Sequence, residues 1–391
     1  MSTTKLALLF AFPAALVAGA SCADNTEATD ITEDAGVEDS RVPPVDAGSE
    51  ADPDGATVPE ECAGDWCTVA LDGVRDVSLN AIWGTGPNDV WVVGSHGFAA
   101  RYDGTSWTVH RPDTLLALYS VWGSGPSDVW AGNTGEAFFH WDGTTWKQSS
   151  LGLADDDPRA VLRLAGSGPE DVFALLEPNG EFSGTCPVSW GDATVTCPKV
   201  YRLSRIEGEL AWREATNEAY VCDNLRYDDF FCVGLNGLWV DPNGEPWTVG
   251  ASGRAVRPKG TATPPLISGG LDETYAITSL EGIGGISASD VWTVGGGGTI
   301  RHFVDGAWQI VSSPTTAHLH AVWARSANDA WAVGDDGTIL HWDGTSWQPS
   351  PSPLDDRPRA LYGVWGDASG NTWIAGEHVL LRRQHETTSR P

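Results

Sequence analysis

The sequence predicts an all-β protein folded as a seven-bladed β-propeller with four antiparallel strands in each blade. One motif carries this prediction, and its clearest copies lie at residues 79–97, 119–135 and 320–337. Each copy has an apolar-Trp pair, a polar turn, and then Asp-x-Trp. The second aromatic residue recurs about every forty residues, with one longer interval, at Trp91, Trp130, Phe173, Trp247, Trp292, Trp331 and Trp373. A unit of this length cannot bury its own apolar face, so the units should pack around an axis.

Each repeat is predicted to contribute four strands. In the copy around Leu319 the sequence runs HAVWA, SANDAWAVG, TILHW and SWQPSP, with Gly, Asp, Asn and Pro at the turns. Four short strands joined by such turns form one antiparallel sheet, and seven sheets around an axis form a propeller. The third repeat has Ala165 and Phe173 where other repeats have Trp, so six and eight blades remain the alternatives.

The last repeat ends after its third strand, which predicts how the ring closes. The missing fourth strand resembles residues 65–69 (DWCTV), which match the pattern at residues 106–109 of the first repeat (SWTV). We therefore expect Trp66 to Val69 to pair with Val379 to Arg382. Such a lock removes the unpaired sheet edges that an open ring would expose.

The first 22 residues are predicted to be an export signal. Lys5 precedes an apolar run at residues 6–18, which is too short for a membrane span, and small residues lead to Cys22. Cleavage after Ala20 would leave Ser21 first; alternatively, residues 19–22 resemble a bacterial lipobox, which would make Cys22 a lipidated first residue. We favour the lipobox, because the other six cysteines form sequence-local couples and Cys22 has no partner: Cys62/Cys67, Cys186/Cys197 and Cys222/Cys232. This resemblance implies an outer-membrane lipoprotein of the cell envelope; a secreted protein is the alternative.

Residues 23–61 are acidic and nearly free of aromatic side chains, which predicts a disordered tether. The propeller follows at residues 62–386 and a short tail at residues 387–391. The whole chain has 53 acidic and 23 basic residues, a formal charge of −30. This balance argues against binding to nucleic acid, whose phosphates are met by Lys and Arg, and against direct contact with anionic lipid headgroups. We expect a monomer.

Most repeats carry a basic residue and an aspartate at fixed distances from the second aromatic residue. The basic residues are Arg101, His140, Arg257, His302 and His341, and the aspartates are Asp89, Asp128, Asp171, Asp290 and Asp329. These sets predict either a ring of equivalent binding sites or a polar pair that fixes the geometry of each blade. We favour the polar pair, because every blade must fold, and buried polar groups require partners.

No metal or cofactor site is predicted. His318 and His320 would point to one side of a strand, but no third ligand lies near them in sequence. The acidic run at residues 155–157 lacks the spacing of a calcium loop, and no helix follows the glycines at residues 295–298 to complete a phosphate site.

Two insertions interrupt the repeat pattern and are the candidate recognition surface. Residues 177–199 separate the second and third strands of the third repeat, and residues 213–234 join the third repeat to the fourth. In a propeller both connections emerge on one face, and disulfides Cys186–Cys197 and Cys222–Cys232 would staple them. Loops on a rigid scaffold commonly carry function, so we predict ligand-binding residues here: Trp190, Tyr220, Arg226, Tyr227, Asp228 and Asp229.

The units at residues 121–130 (VWGSGPSDVW) and 341–347 (HWDGTSW) resemble Trp-rich propeller repeats in secreted proteins and lipoproteins of gliding soil bacteria. Residues 292–295 and 331–334 are more loosely similar to tectonin-type lectin propellers. The turns at residues 103–107 and 142–146 resemble the Asp-boxes of sialidases, in which the box is a structural turn.

The resemblance implies the propeller fold, and most members of that group lack an assigned function; the sequence itself has no catalytic signature. We therefore expect a non-catalytic recognition protein that binds a glycan or protein partner on a propeller face. The alternatives are a glycoside hydrolase-like enzyme that uses the propeller funnel, and a structural component of the envelope.

Overall fold

The computed structural model describes residues 61–133, 135, 137–151, 160–176, 199–215, 234–258, 269–354 and 356–383. These residues form seven antiparallel sheets, which confirms the predicted seven-bladed propeller. Within the described ranges, single turns of 3-10 helix lie at Val74–Asp76, Ser95–Gly97, Ala251–Gly253, Gly296–Gly298 and Asp335–Gly337. Within the described ranges, no helix has the length and apolar character needed to cross a membrane.

The first four blades follow the chain, each with its strands in sequence order. Blade 1 contains β3 (Leu79–Gly86), β4 (Asp89–Gly94), β5 (Ala99–Tyr102) and β6 (Trp107–Val109). Blade 2 contains β7 (Leu118–Gly125), β8 (Asp128–Asn133), β9 (Ala137–Trp141) and β10 (Trp146–Ser150). Blade 3 contains β11 (Val161–Gly168), β12 (Asp171–Leu176), β13 (Lys199–Ile206) and β14 (Glu209–Glu214). Blade 4 contains β15 (Leu235–Val240), β16 (Pro246–Gly250), β17 (Arg254–Pro258) and β18 (Gly269–Glu273).

The last three blades include the one that closes the ring. Blade 5 contains β19 (Leu280–Ser287), β20 (Asp290–Gly295), β21 (Thr299–Val304) and β22 (Ala307–Val311). Blade 6 contains β23 (Leu319–Ser326), β24 (Asp329–Gly334), β25 (Ile339–Trp342) and β26 (Trp347–Pro349). Blade 7 contains β27 (Leu361–Gly366), β28 (Thr372–Gly376), β29 (Val379–Arg383) and two N-terminal strands, β1 (Cys62–Ala63) and β2 (Trp66–Thr68).

Blade 7 is completed from the N-terminal side, as the sequence predicted. Strand β2 pairs antiparallel with β29, with Cys67 opposite Arg382 and Thr68 opposite Leu381. Strand β1 then pairs with β2 as a fifth, outermost strand, and the Cys62–Cys67 disulfide links the two. The ring is therefore locked by hydrogen bonds between segments from opposite ends of the chain.

The core lies between neighbouring blades, where the repeated aromatic residues pack. The second aromatic residue of every repeat is on the second strand of its blade and is buried, including Phe173 of the third repeat. This placement explains why the period of the sequence follows these positions: each ring fills the space between two sheets that cannot bury an apolar face alone.

The first strand of each blade is the innermost, and these strands contact one another in a closed ring, with β27 against β3. Connections between blades, and those from second to third strands, lie on one face, which we call the upper face. In blade 1 this face includes the turn at Ser95–Gly97 and residues 110–117. The opposite, lower face carries the turns from first to second and from third to fourth strands, including residues 87–88 and 103–106.

Candidate binding face

In five blades the aspartate and the basic residue of the repeat form a polar pair within the blade. Oδ1 of the aspartate lies 2.7 Å from Arg101 Nε in blade 1 and 2.6 Å from His140 Nε2 in blade 2. The same contact measures 2.8 Å at His302 in blade 5 and 2.9 Å at His341 in blade 6. Sequence reasoning missed Arg202, which occupies this position in blade 3, 2.6 Å from Asp171. The sequence did not reveal Arg202 because residues 177–198 lie between it and Phe173. It therefore does not follow the aromatic residue at the distance seen in the other repeats.

The basic side chain also lies over the second-strand aromatic ring. The imidazole of His302 stacks on Trp292, with ring centroids 3.8 Å apart and planes 5° apart. His140 and His341 stack in the same way on Trp130 and Trp331. Each pair therefore covers the tryptophan of its own blade, and this geometry supports the structural interpretation over a ring of binding sites.

Two blades depart from this arrangement. In blade 4 Glu245 stands two residues before Trp247, and Arg257 Nε donates instead to Asp272 of the fourth strand. In blade 7 the position holds Asn371, and Arg382 lies over the Trp373 ring, 4.8 Å from its centroid. Blade 7 thus keeps the contact with the aromatic ring without the ion pair, whereas blade 4 keeps an ion pair with a different carboxylate.

Hydrogen bonds favour the charged state of two of these aspartates, Asp128 and Asp329. Burial raises the pKa of Asp128, but hydrogen bonds from His140 and Ser124 and the charge of His140 outweigh it, so the pKa is lowered overall. Asp329 behaves in the same way, with burial opposed by His341 and Arg325. An ionised acceptor makes the stronger hydrogen bond.

The Asp-box-like turns are structural. Asp103 Oδ1 accepts hydrogen bonds from the backbone N–H groups of Thr105 and Ser106, each at 2.8 Å, and from the Thr105 hydroxyl at 2.7 Å. Asp142 and Asp343 make the same turn in blades 2 and 6. These bonds lower the pKa of Asp103 to about 2, the backbone N–H of Ser106 having the largest effect.

The central channel has a feature that the sequence analysis did not predict: a β-bulge near the start of the inner strand in all seven blades. In blade 1, for example, Leu79 pairs with Gly94 and Ala81 with Val93, which leaves Asn80 as the extra residue. The residues at this place share little beyond their position: Asn80, Tyr119, Leu162, Asn236, Glu281, His320 and Tyr362. Bulges re-aim side chains and are frequent beside functional sites.

Several of these bulge residues surround a cavity of about 400 Å³ at the upper mouth of the channel, within the usual size range of ligand pockets. Its polar lining includes Asn80, Tyr119, Arg163, His320 and Tyr362. Deeper in the channel, Glu281 joins the lining. Burial lowers the pKa of Arg163, and the negative charge of Glu281 partly offsets this effect.

His318 and His320 lie side by side near this mouth, as their alternate spacing on a strand predicted. Their ring centroids are 4.7 Å apart. His320 Nε2 is 2.7 Å from Asp335 Oδ1, and His318 Nε2 is 3.8 Å from Glu281 Oε1. Among the described side chains, no group of three or more His, Cys, Asp or Glu residues is arranged to hold a metal ion.

Exposed apolar side chains are concentrated on the upper face. Of the large apolar residues exposed in the described ranges, five lie there: Leu115, Leu116, Tyr119, Tyr275 and Ile277. The other three, Val109, Leu210 and Ile310, are on the outermost strands β6, β14 and β22. Leu115 is 85% exposed and Ile277 94%, both on connections between blades.

One of these connections is held in a strained conformation. Tyr275 has φ of 57°, a region that bulky residues rarely adopt. The buried Arg301 fixes it, because Nε donates to the Thr274 carbonyl at 2.7 Å and Nη2 donates to the Tyr275 carbonyl at 3.0 Å. Strain maintained in this way is typical of functional sites.

The predicted recognition residues lie outside the described residues, namely Trp190, Tyr220, Arg226, Tyr227, Asp228 and Asp229, as do Cys22 and the cysteines at 186, 197, 222 and 232. The described ends of the two insertions lie on the upper face. Strand β12 ends at Leu176 and β13 begins at Lys199; β14 ends at Glu214 and β15 begins at Leu235. Lys199 Nζ is 3.0 Å from Glu214 Oε2, so an ion pair joins the end of one insertion to the start of the other.

Comparison with known proteins supports the fold and goes no further. No protein-family model and no curated protein matches the chain. Among solved structures, YCF48 bound to D1 peptide is 17% identical with a TM-score of 0.60, over 85% of this chain and 100% of that one. YCF48 from Cyanidioschyzon merolae gives the same identity and TM-score over 82% and 99%. The WD40 propeller domain of Doa1 is 12% identical with a TM-score of 0.55, over 84% and 98%. At these identities the comparison shows a propeller fold shared with these proteins.

Proposed function

We propose that this propeller is a non-catalytic recognition module that binds a protein partner on its upper face. The observation that carries the proposal is the distribution of exposed apolar side chains: Leu115, Leu116, Tyr119, Tyr275 and Ile277 all belong to that face. Exposed apolar residues that share one face with a polar cavity are characteristic of interaction surfaces. The similar YCF48 propeller holds a peptide, which supports this use of the fold.

The surface is also prepared for binding. Arg301 fixes the backbone at Tyr275, and the Leu116 carbonyl accepts a hydrogen bond of 3.0 Å from the Gly97 N–H. Apolar side chains on backbone that is already ordered bind at a smaller entropic cost than those on loose loops.

A glycan is the second candidate ligand, because Tyr119 and Tyr275 offer aromatic rings on which a sugar face could stack. Leu115, Leu116 and Ile277 are aliphatic, and aliphatic side chains suit the apolar contacts of a protein partner better. The residues predicted in the insertions, including Arg226 and Tyr227, would extend either kind of contact, since both insertions join the fold at this face.

The enzyme alternative has less support. A glycosidase that uses the channel would need two carboxyl groups, about 5 to 10 Å apart, with different pKa values. Glu281 is the one carboxylate among the described residues that line the channel cavities. It already accepts hydrogen bonds from Ser279 and Asn236.

The lipid anchor at Cys22, and with it a place in the cell envelope, belongs to the same proposal and depends on the sequence alone.

The test is a binding screen of the full-length protein against immobilised peptides and polysaccharides, with a panel of glycosidase substrates beside it. The variant Leu115→Ser/Ile277→Ser should weaken binding to the best ligand about tenfold, equivalent to about 1.4 kcal/mol. The matched control is Leu210→Ser/Ile310→Ser, which removes the same residue types from outer strands and should leave affinity unchanged. Equal affinities for the two double variants, or turnover of a glycosidase substrate, would contradict the proposal.

A further inference from the structure

The cavity at the channel mouth is unusual for so acidic a chain. The protein has a formal charge of −30, yet the described residues that line this cavity include no carboxylate. It contains the guanidinium of Arg163, the hydroxyls of Tyr119 and Tyr362, and the amide of Asn80. These groups can all donate hydrogen bonds. The cavity therefore favours a ligand group that accepts them.

Arg163 has donor capacity to spare. Its Nη1 donates to the Leu162 carbonyl at 2.8 Å, and this is its one hydrogen bond to the described part of the chain. Glu281, the acidic group that acts on it electrostatically, has its own partners in Ser279 at 2.8 Å and Asn236 at 3.2 Å. Among the described residues no carboxylate forms an ion pair with this half-buried guanidinium, so it has lost hydration that a bound anion would replace.

The neighbouring donors are positioned by the fold. Asn80 Nδ2 donates to the Leu118 carbonyl of blade 2 at 2.9 Å, which fixes its amide group at the mouth. His320 is held by Asp335 and packs near Tyr362, with ring centroids 5.3 Å apart. Asn80 and His320 are therefore held in place by the protein itself before any ligand arrives.

An apolar surface adjoins this polar cavity. Ala117 and Tyr119 line the cavity, and Leu115 and Leu116 precede them on the same connection. The Leu116 N–H donates to the Thr114 hydroxyl at 3.1 Å, and the Leu116 carbonyl accepts a hydrogen bond from the Gly97 N–H. Both backbone groups of Leu116 are therefore hydrogen-bonded. A cavity suited to a ligand that accepts hydrogen bonds thus lies beside two exposed leucines, Leu115 (85% exposed) and Leu116 (49%).

We propose that the cavity takes the carboxylate of an acidic side chain of the partner, with Arg163 as its anchor. A large aliphatic residue next to that acid in the same peptide packs on Leu115 and Leu116. The guanidinium fork matches a carboxylate in two parallel hydrogen bonds, which gives specificity as well as affinity. This inference depends on the proposed function and names the chemistry of the partner: a peptide in which Glu or Asp is followed by an apolar residue.

The experiment uses the full-length protein and four labelled peptides that differ only at two central positions within Gly-Ser flanks: Glu-Leu, Gln-Leu, Glu-Ser and Gln-Ser. An oligogalacturonate serves as the acidic glycan probe. Fluorescence anisotropy should show Glu-Leu bound about tenfold more tightly than Gln-Leu or Glu-Ser, a difference of about 1.4 kcal/mol in each case. Arg163→Gln should abolish the preference for Glu over Gln. The matched control is Arg205→Gln, on the same blade, where the exposed Arg205 pairs with Glu170; it should bind like the unaltered protein.

Several results would overturn the inference. These are equal affinity for the Glu and Gln peptides, an unchanged preference in Arg163→Gln, no binding of any peptide, or tighter binding of the oligogalacturonate. If Arg163→Gln does not fold, Arg163→Lys keeps the charge without the guanidinium fork and should weaken Glu-Leu binding.

Failure of the cavity proposal is distinguishable from failure of the proposed function. If Glu and Gln peptides bind equally but both lose affinity in Leu115→Ser/Ile277→Ser, the upper face still binds protein.

Discussion

The indole of Trp365, in the last blade, lies 2.8 Å from the point that a β-carbon on Gly84, in the first blade, would occupy. The same relationship joins Trp122 to Gly166 and Trp323 to Gly366. The glycine after the apolar pair of the motif is therefore the space into which the neighbouring blade inserts its inner-strand ring. Protein interiors are close-packed, so this space tolerates no added carbon without a shift.

Gly84→Ala should destabilise the fold by about 1 to 3 kcal/mol. The added methyl would lie 2.8 Å from the Trp365 ring and 2.5 Å from the Asp89 carbonyl oxygen. The control is Gly86→Ala, in the same strand, where nothing lies within 4 Å of the added carbon. Urea unfolding of the two variants measures the difference. If both variants unfold at the same urea concentration, the interblade packing described above is wrong.

Closure of the ring gives a second prediction. Trp66 is fully buried, its ring centroid lies 5.2 Å from that of Trp331 in blade 6, and its Nε1 donates to the Ser350 hydroxyl at 3.1 Å. Trp66→Ala should cost about 3 to 5 kcal/mol, as for other buried Trp residues. Ser350→Ala removes only the acceptor and should cost about 1 kcal/mol. A small loss in Trp66→Ala, measured by thermal unfolding, would mean that the N-terminal strand does not close the propeller in solution.

The polar pairs should contribute to stability and not to binding. Asp290→Ala removes the partner of His302, which remains stacked on Trp292, and should lower the free energy of unfolding by about 1 to 3 kcal/mol. Affinity for the best ligand of the binding screen should not change. A variant of normal stability that has lost binding would instead favour the alternative of one binding site in each blade.

The Asp-box-like turns predict a dependence of stability on acid. The pKa of Asp343 is lowered from 3.8 to about 2 by hydrogen bonds from Thr345 and Ser346, as is that of Asp103 by Ser106 and Thr105. A group with a lower pKa in the folded state stabilises the fold above its unfolded pKa, and this contribution disappears as the pH falls through the folded value. Unfolding should therefore become easier between about pH 4 and pH 2. Asp343→Ala should make the free energy of unfolding depend less on pH in this range. An ordinary pKa for Asp343 in an NMR titration of the carboxyl groups would contradict the prediction.

The sequence predicted the parts of the fold that recur in like residues. Trp91 and its equivalents mark the second strands because each fills the same space between blades, and Trp66 revealed the closing strand because it matches Trp107. The channel could not be predicted in this way. Its lining brings together residues as unlike as Asn80, Glu281 and His320, and a bulge is a property of strand register that no residue type signals.

Two side chains of the polar pairs were missed for a related reason. Arg202 is separated from its repeat position by a long insertion, and Arg382 follows a shorter turn, so distance along the chain did not reveal their equivalence. The cavity beside Arg163 likewise depends on strands from several blades, which only the closed ring brings together.

The central claim is that the upper face binds the partner, and hydrogen exchange tests it most directly. The measurement compares amide exchange of the full-length protein alone and with the strongest binder from the peptide and polysaccharide screen. We expect slower exchange at residues 114–119 and 274–278, on the connections that carry the exposed apolar side chains. Residues 103–106, 142–145 and 343–346 are turns of the lower face and should exchange as before. Protection confined to those lower turns, with none at residues 114–119 and 274–278, would contradict the account.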